Sequence, residues 1–513
     1  MHRQKAPSLL VQPDYLLALL SGVLLAVSFP RFGLPAFGWI ALTPLIAALA
    51  PHRSRMAPGR AFALGFVSGL AYFAGTVYWT SPTIRTYGGL SLPVALFATA
   101  LLVAYLALFP ALFALAVAWL CQRLGTRTLI VAPAVWVTSE VGRAYFWSGF
   151  PWLLLGYSQT TVLPVAQVAS VVGVFGLSGL VASVSTGFAY LAVGRSRRAW
   201  AGAAAPIAIA AVLAIWGSGR IRSGDLTRAG TPLKLALVQG NVPQDEKWDP
   251  VRAEAILRRY LSMTRDGAAG GARLVIWPES ATPFYYEQEP IGGARIREVV
   301  RATGVRLLFG SDQFESGRPP KYYNAAFMLK PDGQTAAVYH KMHLVPFGEY
   351  VPLKSLLFFV EPLVEAASDF SPGESMVALP MNGASISTAI CYEIVYPGLV
   401  RQSVRQGSQL LTTITNDAWY GYSSAPYQHF LQASMRAIEQ GRYLARAANT
   451  GISGIVDPYG HVVVQSALFQ TAVVTGDVRL LSDLTVYGRI GDLFAYLCVT
   501  VTLAALLLAL KGK

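Results

Sequence analysis

"AICYEIVYPGL" (389–399) runs an apolar, β-branched stretch into a cysteine, then a tyrosine–glutamate pair and a proline–glycine turn. A strand that stops at such a turn displays its last side chain at the sheet's C-terminal edge, and a helix is expected to start near Pro397. That layout resembles a nucleophile elbow, in which backbone N–H groups beyond the nucleophile face a developing oxyanion. Cys391 has four possible roles: buried filler, disulfide partner, metal ligand or nucleophile. The chain holds three cysteines. Cys121 and Cys498 fall in or beside apolar segments expected to be embedded in a membrane, out of reach of Cys391, which argues against a disulfide. His340 and His343 have a spacing that puts them on opposite faces of a strand, and no cysteine–histidine cluster accompanies them, which argues against a metal. Packing and nucleophile stay open on these residues alone.

The same strand-then-turn grammar recurs around Cys391. "LKLALVQGNV", "RLVIWPE", "VRLLFGSDQF", "NAAFMLK" and "LLTTITNDAW" are short β-rich runs bounded by turn residues. Residues 250–265, 293–303 and 426–442 alternate with them as amphipathic helices. Strands interleaved with helices predict a layered α/β domain over 218–490.

Composition places that domain beside a membrane. Charged residues make up 13% of the 513, hydrophobic residues 54%, against roughly 25% charged in ordinary soluble domains. Eight apolar segments are expected to span: 14–29, 37–50, 61–80, 91–120, 128–146, 162–193, 201–217 and 491–510. The second is short for a bilayer and the fourth overlong. The expected organisation is a transmembrane domain over 1–217, the α/β domain, and a last span with its tail over 491–513. Arg53, Arg55, Arg60, Arg123, Arg127, Arg195, Arg197, Arg198, Lys511 and Lys513 all fall on one side of this arrangement. The opposite loops hold only Arg31 and Arg85, or Glu140 with Arg143, which are expected to pair near a span's end. The positive-inside rule then predicts both termini in the cytoplasm and residues 218–490 outside. The net charge of +14 is read as this topology signal, so no nucleic-acid partner is expected.

Two further stretches supply what a thiol nucleophile requires. "RLVIWPES" ends an apolar run in Glu279, with Pro278 fixing the turn, and a carboxylate there can take a thiol proton. "VYHKMHLVPFGEYVP" sets Lys341 among apolar neighbours, with Glu349 beyond a Pro-Phe-Gly turn, and an ammonium there can hold an oxyanion. "LKSLLFFVEPLVEAASDF" (353–370) reads equally as a core helix or as a lid dipping into the membrane.

"WPE", "HKMHLVPFGEYVP" and "CYE" resemble the Glu-Lys-Cys elements of the nitrilase-like carbon–nitrogen hydrolases. With seven preceding spans and one following, and with "SGFPWLLLGYSQ" (148–159), "QGNVPQDEKWDP" (239–250) and "TNDAWYG" (415–421), the chain is similar to the membrane-embedded branch of that superfamily, the apolipoprotein N-acyltransferases. The resemblance implies an αββα sandwich on a polytopic helical membrane domain, in a bacterial inner membrane with the sandwich in the periplasm. It implies acyl transfer from a phospholipid, with phosphatidylethanolamine the expected donor, to the α-amine of diacylated apolipoproteins, and no cofactor. Cys391, Glu279 and Lys341 would be catalytic, Glu349, Tyr392 and Glu393 supporting. Trp248, Trp419 and Tyr420 are candidate substrate contacts.

Overall fold

The computed structural model describes residues 13–50, 56–194, 196–351 and 370–511. Apart from Phe370, the segment expected to be a core helix or lid lies outside them.

Among the described residues, twelve strands form the α/β unit: β1 (Thr231–Gln239), β2 (Leu274–Ile276), β3 (Arg306–Glu315), β4 (Lys321–Leu329), β5 (Thr335–His340), β6 (Leu379–Met381), β7 (Ala384–Ile390), β8 (Ser408–Thr415), β9 (Leu444–Ala448), β10 (Gly454–Val456), β11 (Val462–Gln465) and β12 (Ala472–Leu480). They make two six-stranded sheets, ordered β12-β1-β2-β3-β4-β5 and β11-β10-β9-β8-β7-β6. Side-chain alternation divides each strand between two cores. In β1, Leu235 and Leu237 face the second sheet, where Ile386, Ile390, Leu410 and Ile414 meet them. The intervening Ala236 and Val238 face outward, against Ile256, Leu257 and Tyr260 of the helix Pro250–Ala269 and Ile296 and Val300 of the helix Pro290–Thr303. Because both faces of these strands are covered, their apolar runs are nearly continuous rather than alternating with polar residues.

The second sheet's outer helices, Pro397–Arg405 and Ala425–Gln440, complete the αββα sandwich in an unusual way. Val400, Val404, Phe430, Met435 and Ile438 share one core with the helices of the N-terminal half. The sandwich's fourth layer is therefore also its seat on the membrane domain.

Five helices among the described residues are long and apolar enough to cross a membrane: Pro58–Val77, Leu92–Leu124, Ala169–Val193, Ala199–Arg228 and Leu493–Lys511. The other three expected spans contain shorter helices, Pro13–Val27 (15 residues), Thr43–Leu49 (7) and Ala132–Tyr145 (14). The helix Leu92–Leu124 has 33 residues, which at 1.5 Å per residue is about 50 Å, well beyond a hydrocarbon core of roughly 30 Å.

Between the two halves lies the loop that follows the helix Ala132–Tyr145, with Trp152 to Leu155 fully buried. Glu140 and Arg143 hold it from below, but not as the ion pair expected from their spacing. Each addresses loop backbone instead. Glu140 Oε1 accepts from Leu155 N at 2.6 Å and Trp136 Nε1 at 3.1 Å, while Arg143 Nη1 donates to Trp152 O at 2.6 Å. An irregular backbone buried in the protein must have its polar groups met by protein, and these two side chains meet them. From above, Gln428 Oε1 accepts from both Trp152 Nε1 (2.8 Å) and Trp79 Nε1 (3.2 Å), and Gln432 Oε1 accepts from Leu153 N at 3.2 Å.

Candidate active site

Strand ends bring the candidate residues to one place. Glu279 follows β2 through Trp277 and Pro278, and the chain turns immediately at Ser280, whose φ is +42°. Lys341 follows β5. Cys391 follows β7, and because Ile390 of β7 pairs with Ile414 of β8, it lies beside Thr415 and Asn416. The Asn416 N–H reaches across to Glu279 Oε2 at 2.8 Å, tying the two sheets together at the site.

Glu279 and Glu349 share two donors. Lys341 Nζ donates to Glu349 Oε1 at 2.8 Å and stands 3.5 Å from Glu279 Oε1. Asn324 Nδ2 donates to the same two oxygens at 2.9 and 2.7 Å. Glu349 Oε2 takes the Val345 N–H at 2.8 Å, which folds the Pro-Phe-Gly turn back over the lysine. Lys341 is 1% exposed. A lone ammonium buried so deeply would be costly, and two carboxylates make the burial sustainable.

Glu393 fixes the cysteine's segment to the lysine's. It is fully buried; Oε1 accepts from Tyr339 OH (2.8 Å), Met342 N (2.7 Å) and His343 N (3.1 Å), and Oε2 from Ile390 N (2.7 Å). One carboxylate thus gathers the backbone just after Lys341 and just before Cys391. Cys391 itself has φ +53°, the left-handed region, which costs a non-glycine residue about 1–2 kcal/mol. A short 3₁₀ turn, Cys391–Val395, follows it, so its first backbone N–H groups lack helical partners.

The protonation states follow from these surroundings. Burial would push Glu279 up, but Lys341, Asn324, Lys247 and the Asn416 N–H together hold it below the ordinary glutamate range. Burial would likewise pull the Lys341 ammonium down, and Glu349 and Glu279 outweigh it, holding the group above the ordinary lysine range. Burial and the Glu279 charge push the Cys391 thiol well up, against the opposing pull of Lys341. The resting site therefore holds a carboxylate, an ammonium and a neutral thiol.

The remaining candidates divide by exposure. Tyr392 is buried and packs against the membrane-side loop, with ring centroids 6.4 Å from those of Trp152 and Phe150. Tyr420 is half-buried and meets Trp79 edge-on at 4.9 Å, where burial first, and then the Asp417 and Glu279 charges, raise its phenol. Trp419 is exposed and edge-on to Tyr87 at 4.8 Å, and Trp248 is exposed on its loop. No pairing joins these last two to the buried cluster among the described aromatic contacts. Asn324, Asn416 and Lys247, whose Nζ donates to Glu279 O at 3.3 Å, are site neighbours that motif reading passes over. All three lie in stretches quoted above, "NAAFMLK", "TNDAWYG" and "QGNVPQDEKWDP", but without a role for the asparagines or the lysine.

A thiol, a carboxylate and an ammonium converging at strand ends can perform acyl chemistry. The carbon–nitrogen hydrolase family profile matches residues 234–482, and that of the apolipoprotein N-acyltransferase N-terminal domain matches 21–187. An apolipoprotein N-acyltransferase of Geobacter metallireducens is 43% identical over 98% of this chain and 96% of its own. One from Methylococcus capsulatus is 38% identical over 93% and 92%. Among solved structures, a mutant of the Nesterenkonia AN1 amidase from the nitrilase superfamily aligns with 53% of this chain and 98% of its own, at 22% identity and a TM-score of 0.41. The full-length identity to the Geobacter and Methylococcus proteins shows that this chain belongs to the apolipoprotein N-acyltransferase family.

Proposed function

We propose that the chain transfers an acyl group from a phospholipid to the α-amine of a diacylglyceryl-cysteine at the N-terminus of an apolipoprotein, through a thioester on Cys391. The observation that carries this reading is the pair of carboxylates, Glu279 and Glu349, sharing Lys341 and Asn324 beside the left-handed Cys391.

In the first half-reaction Cys391 Sγ adds to the ester carbonyl of the donor and Glu279 takes the thiol proton. Because the resting thiol is held high and the carboxylate low, proton transfer before attack is uphill, so it is coupled to C–S bond formation. Lys341 and the Tyr392 N–H stabilise the oxyanion. The intermediate collapses, Glu279 returns the proton to the leaving alkoxide, and lysophospholipid departs. In the second half-reaction the lipoprotein amine attacks the thioester and gives its proton to Glu279. The proton then passes to the departing Cys391 sulfur and an amide is released. The thioester is already reactive toward amines, so no cofactor takes part. Glu349 and Glu393 hold the lysine and the elbow, and Trp248, Trp419 and Tyr420 contact lipid at the rim. Phosphatidylethanolamine is the proposed donor. The arginine distribution supports an inner-membrane location with both termini cytoplasmic and the sandwich in the periplasm.

Full-length protein in detergent, given acyl-labelled phosphatidylethanolamine and no acceptor, takes up label that neutral hydroxylamine releases. Cys391→Ala takes up none. A diacylated lipopeptide then draws the label onto its amine. An unlabelled native protein, or a Cys391→Ala variant labelled equally well, refutes the thioester, and label released only as free fatty acid makes the chain a hydrolase.

A further inference from the structure

The mechanism above leaves a fully buried histidine unused. His429 of the helix Ala425–Gln440 has Nε2 at 3.1 Å from the Cys391 carbonyl oxygen and Nδ1 at 3.0 Å from Asp417 Oδ1. Arg446 Nη2 lies 2.7 Å from Asp417 Oδ2 and 3.2 Å from the same His429 Nδ1, and Thr415 Oγ1 donates to Asp417 Oδ1 at 3.0 Å. His429, Arg446 and Asp417 are each at most 1% exposed. Hydrogen-bond chemistry fixes the Nε2 end: a carbonyl only accepts, so Nε2 carries a hydrogen toward Cys391 O, while Nδ1 lies between Arg446, which donates, and the Asp417 carboxylate, which accepts. Burial and the adjacent Arg446 charge hold the imidazole below its ordinary range, in keeping with a neutral ring. The Trp152 and Tyr420 rings stand 5.6 and 6.4 Å from it.

We propose that His429, held by Asp417 and Arg446, is a positioning residue for acyl transfer that aims the oxyanion-binding N–H by gripping the Cys391 carbonyl. The reason is the planarity of the peptide. The Cys391 C=O and the Tyr392 N–H belong to one rigid trans unit and point in opposite directions. A bond on the oxygen therefore sets where the N–H points, and it polarises the amide so that the N–H donates more strongly. Cys391 needs such a grip, since its left-handed backbone is not one that a cysteine holds unaided. His429 touches no reacting atom; it acts on the transition state through the backbone.

The proposal rests on Cys391 as acyl carrier, and the experiment separates the two. Single-turnover acylation of the full-length protein by labelled phosphatidylethanolamine is measured across lipid concentration for native, His429→Ala and His429→Gln. His429→Ala slows acylation at saturating lipid by about 10²-fold, the value of an oxyanion donor, while half-saturation moves by less than about twofold. His429→Gln, whose amide can donate from near the Nε2 position, recovers the rate to within about fivefold of native. Native protein that takes no label refutes the acyl carrier itself. A near-native rate in His429→Ala, a change confined to half-saturation, or a His429→Gln variant that melts like native yet stays as slow as His429→Ala overturns the positioning role. If His429→Ala does not fold, the His429→Gln rate alone decides, by the same criterion.

Discussion

At the residue scale, the decisive quantity is how firmly Glu279 is kept ionised in a buried site. Asn324 is one of the groups that keep it so, and it is 4% exposed in the middle of β4. Replacing it by leucine removes a hydrogen bond to a buried charge, a loss of about 1.5–3 kcal/mol, or roughly one to two pH units. Burial then acts on Glu279 with less opposition and its pKa rises. A base must be unprotonated to work, so the acid limb of the acylation pH–rate profile of Asn324→Leu moves upward by that amount. A limb that stays in place would remove either Glu279 as the base or Asn324 as its support. The three central residues were legible because each follows an apolar run at a turn, where a polar side chain has no packing reason to be. Asn324 was not, because it sits inside such a run. Only the register, with Asp312 opposite Asn324 and His340 opposite Ala325, shows that it lies beside Lys341. His429 was hidden for a similar reason: on an amphipathic helix a lone histidine reads as surface or core until its partners are known.

At the scale of elements, β3 decides where Glu279 can stand. A Cβ on Gly310 would lie 2.5 Å from Ser280 N, 2.6 Å from Glu279 Cα and 2.7 Å from Pro278 O. All three are backbone or backbone-attached atoms and cannot swing aside, so Gly310→Ala must push the Glu279 turn away from the strand. Overpacking of this kind costs about 1–3 kcal/mol of stability, but a displacement near 1 Å at a catalytic group costs about 10²-fold in rate. Acylation by Gly310→Ala is therefore expected to fall about 10²-fold while a folded protein is still recovered, as seen by its melting transition. An unchanged rate would show that the turn tolerates the shift. The layered arrangement was readable because long apolar runs with turns between them mark strands buried on both faces. The later strands were not. β9 is "LARAA", small and interrupted by Arg446, whose charge turns inward to Asp417. β11 is short and mostly exposed. Hydropathy likewise located the apolar segments of the membrane domain and marked the second as short, without resolving that the first and fifth also contain helices too short to cross alone.

At the scale of the molecule, the sandwich and the membrane helices are joined by buried charge as well as by apolar packing. The helix Ala169–Val193 breaks at Gly173, where φ is +67° and a Cβ would meet the Tyr487 ring at 2.5 Å. The N–H of Val174, just past the break, donates to Glu439 Oε1 of the sandwich at 2.9 Å. Arg436 Nη1 stands 3.2 Å from Glu439 Oε2, and Arg436 Nη2 donates to Tyr157 OH at 2.6 Å. The two charges meet without a well-directed hydrogen bond between them, and burial outweighs the Arg436 attraction, pushing Glu439 up to about 7. Unfolded glutamate titrates near 4.3. Between these values the folded protein binds the proton and the unfolded chain does not, so stability contributed by Glu439 is complete at low pH and is lost as pH rises toward 7. Glu439→Gln is neutral throughout and removes this dependence, adding only a constant offset from the Arg436 partner it takes away. The melting temperature of native protein in detergent is therefore expected to fall relative to that of Glu439→Gln as pH is raised from about 5 to about 8. Parallel curves would mean that Arg436 keeps Glu439 ionised across the whole range, and that the junction is a permanent ion pair instead of a proton-dependent one.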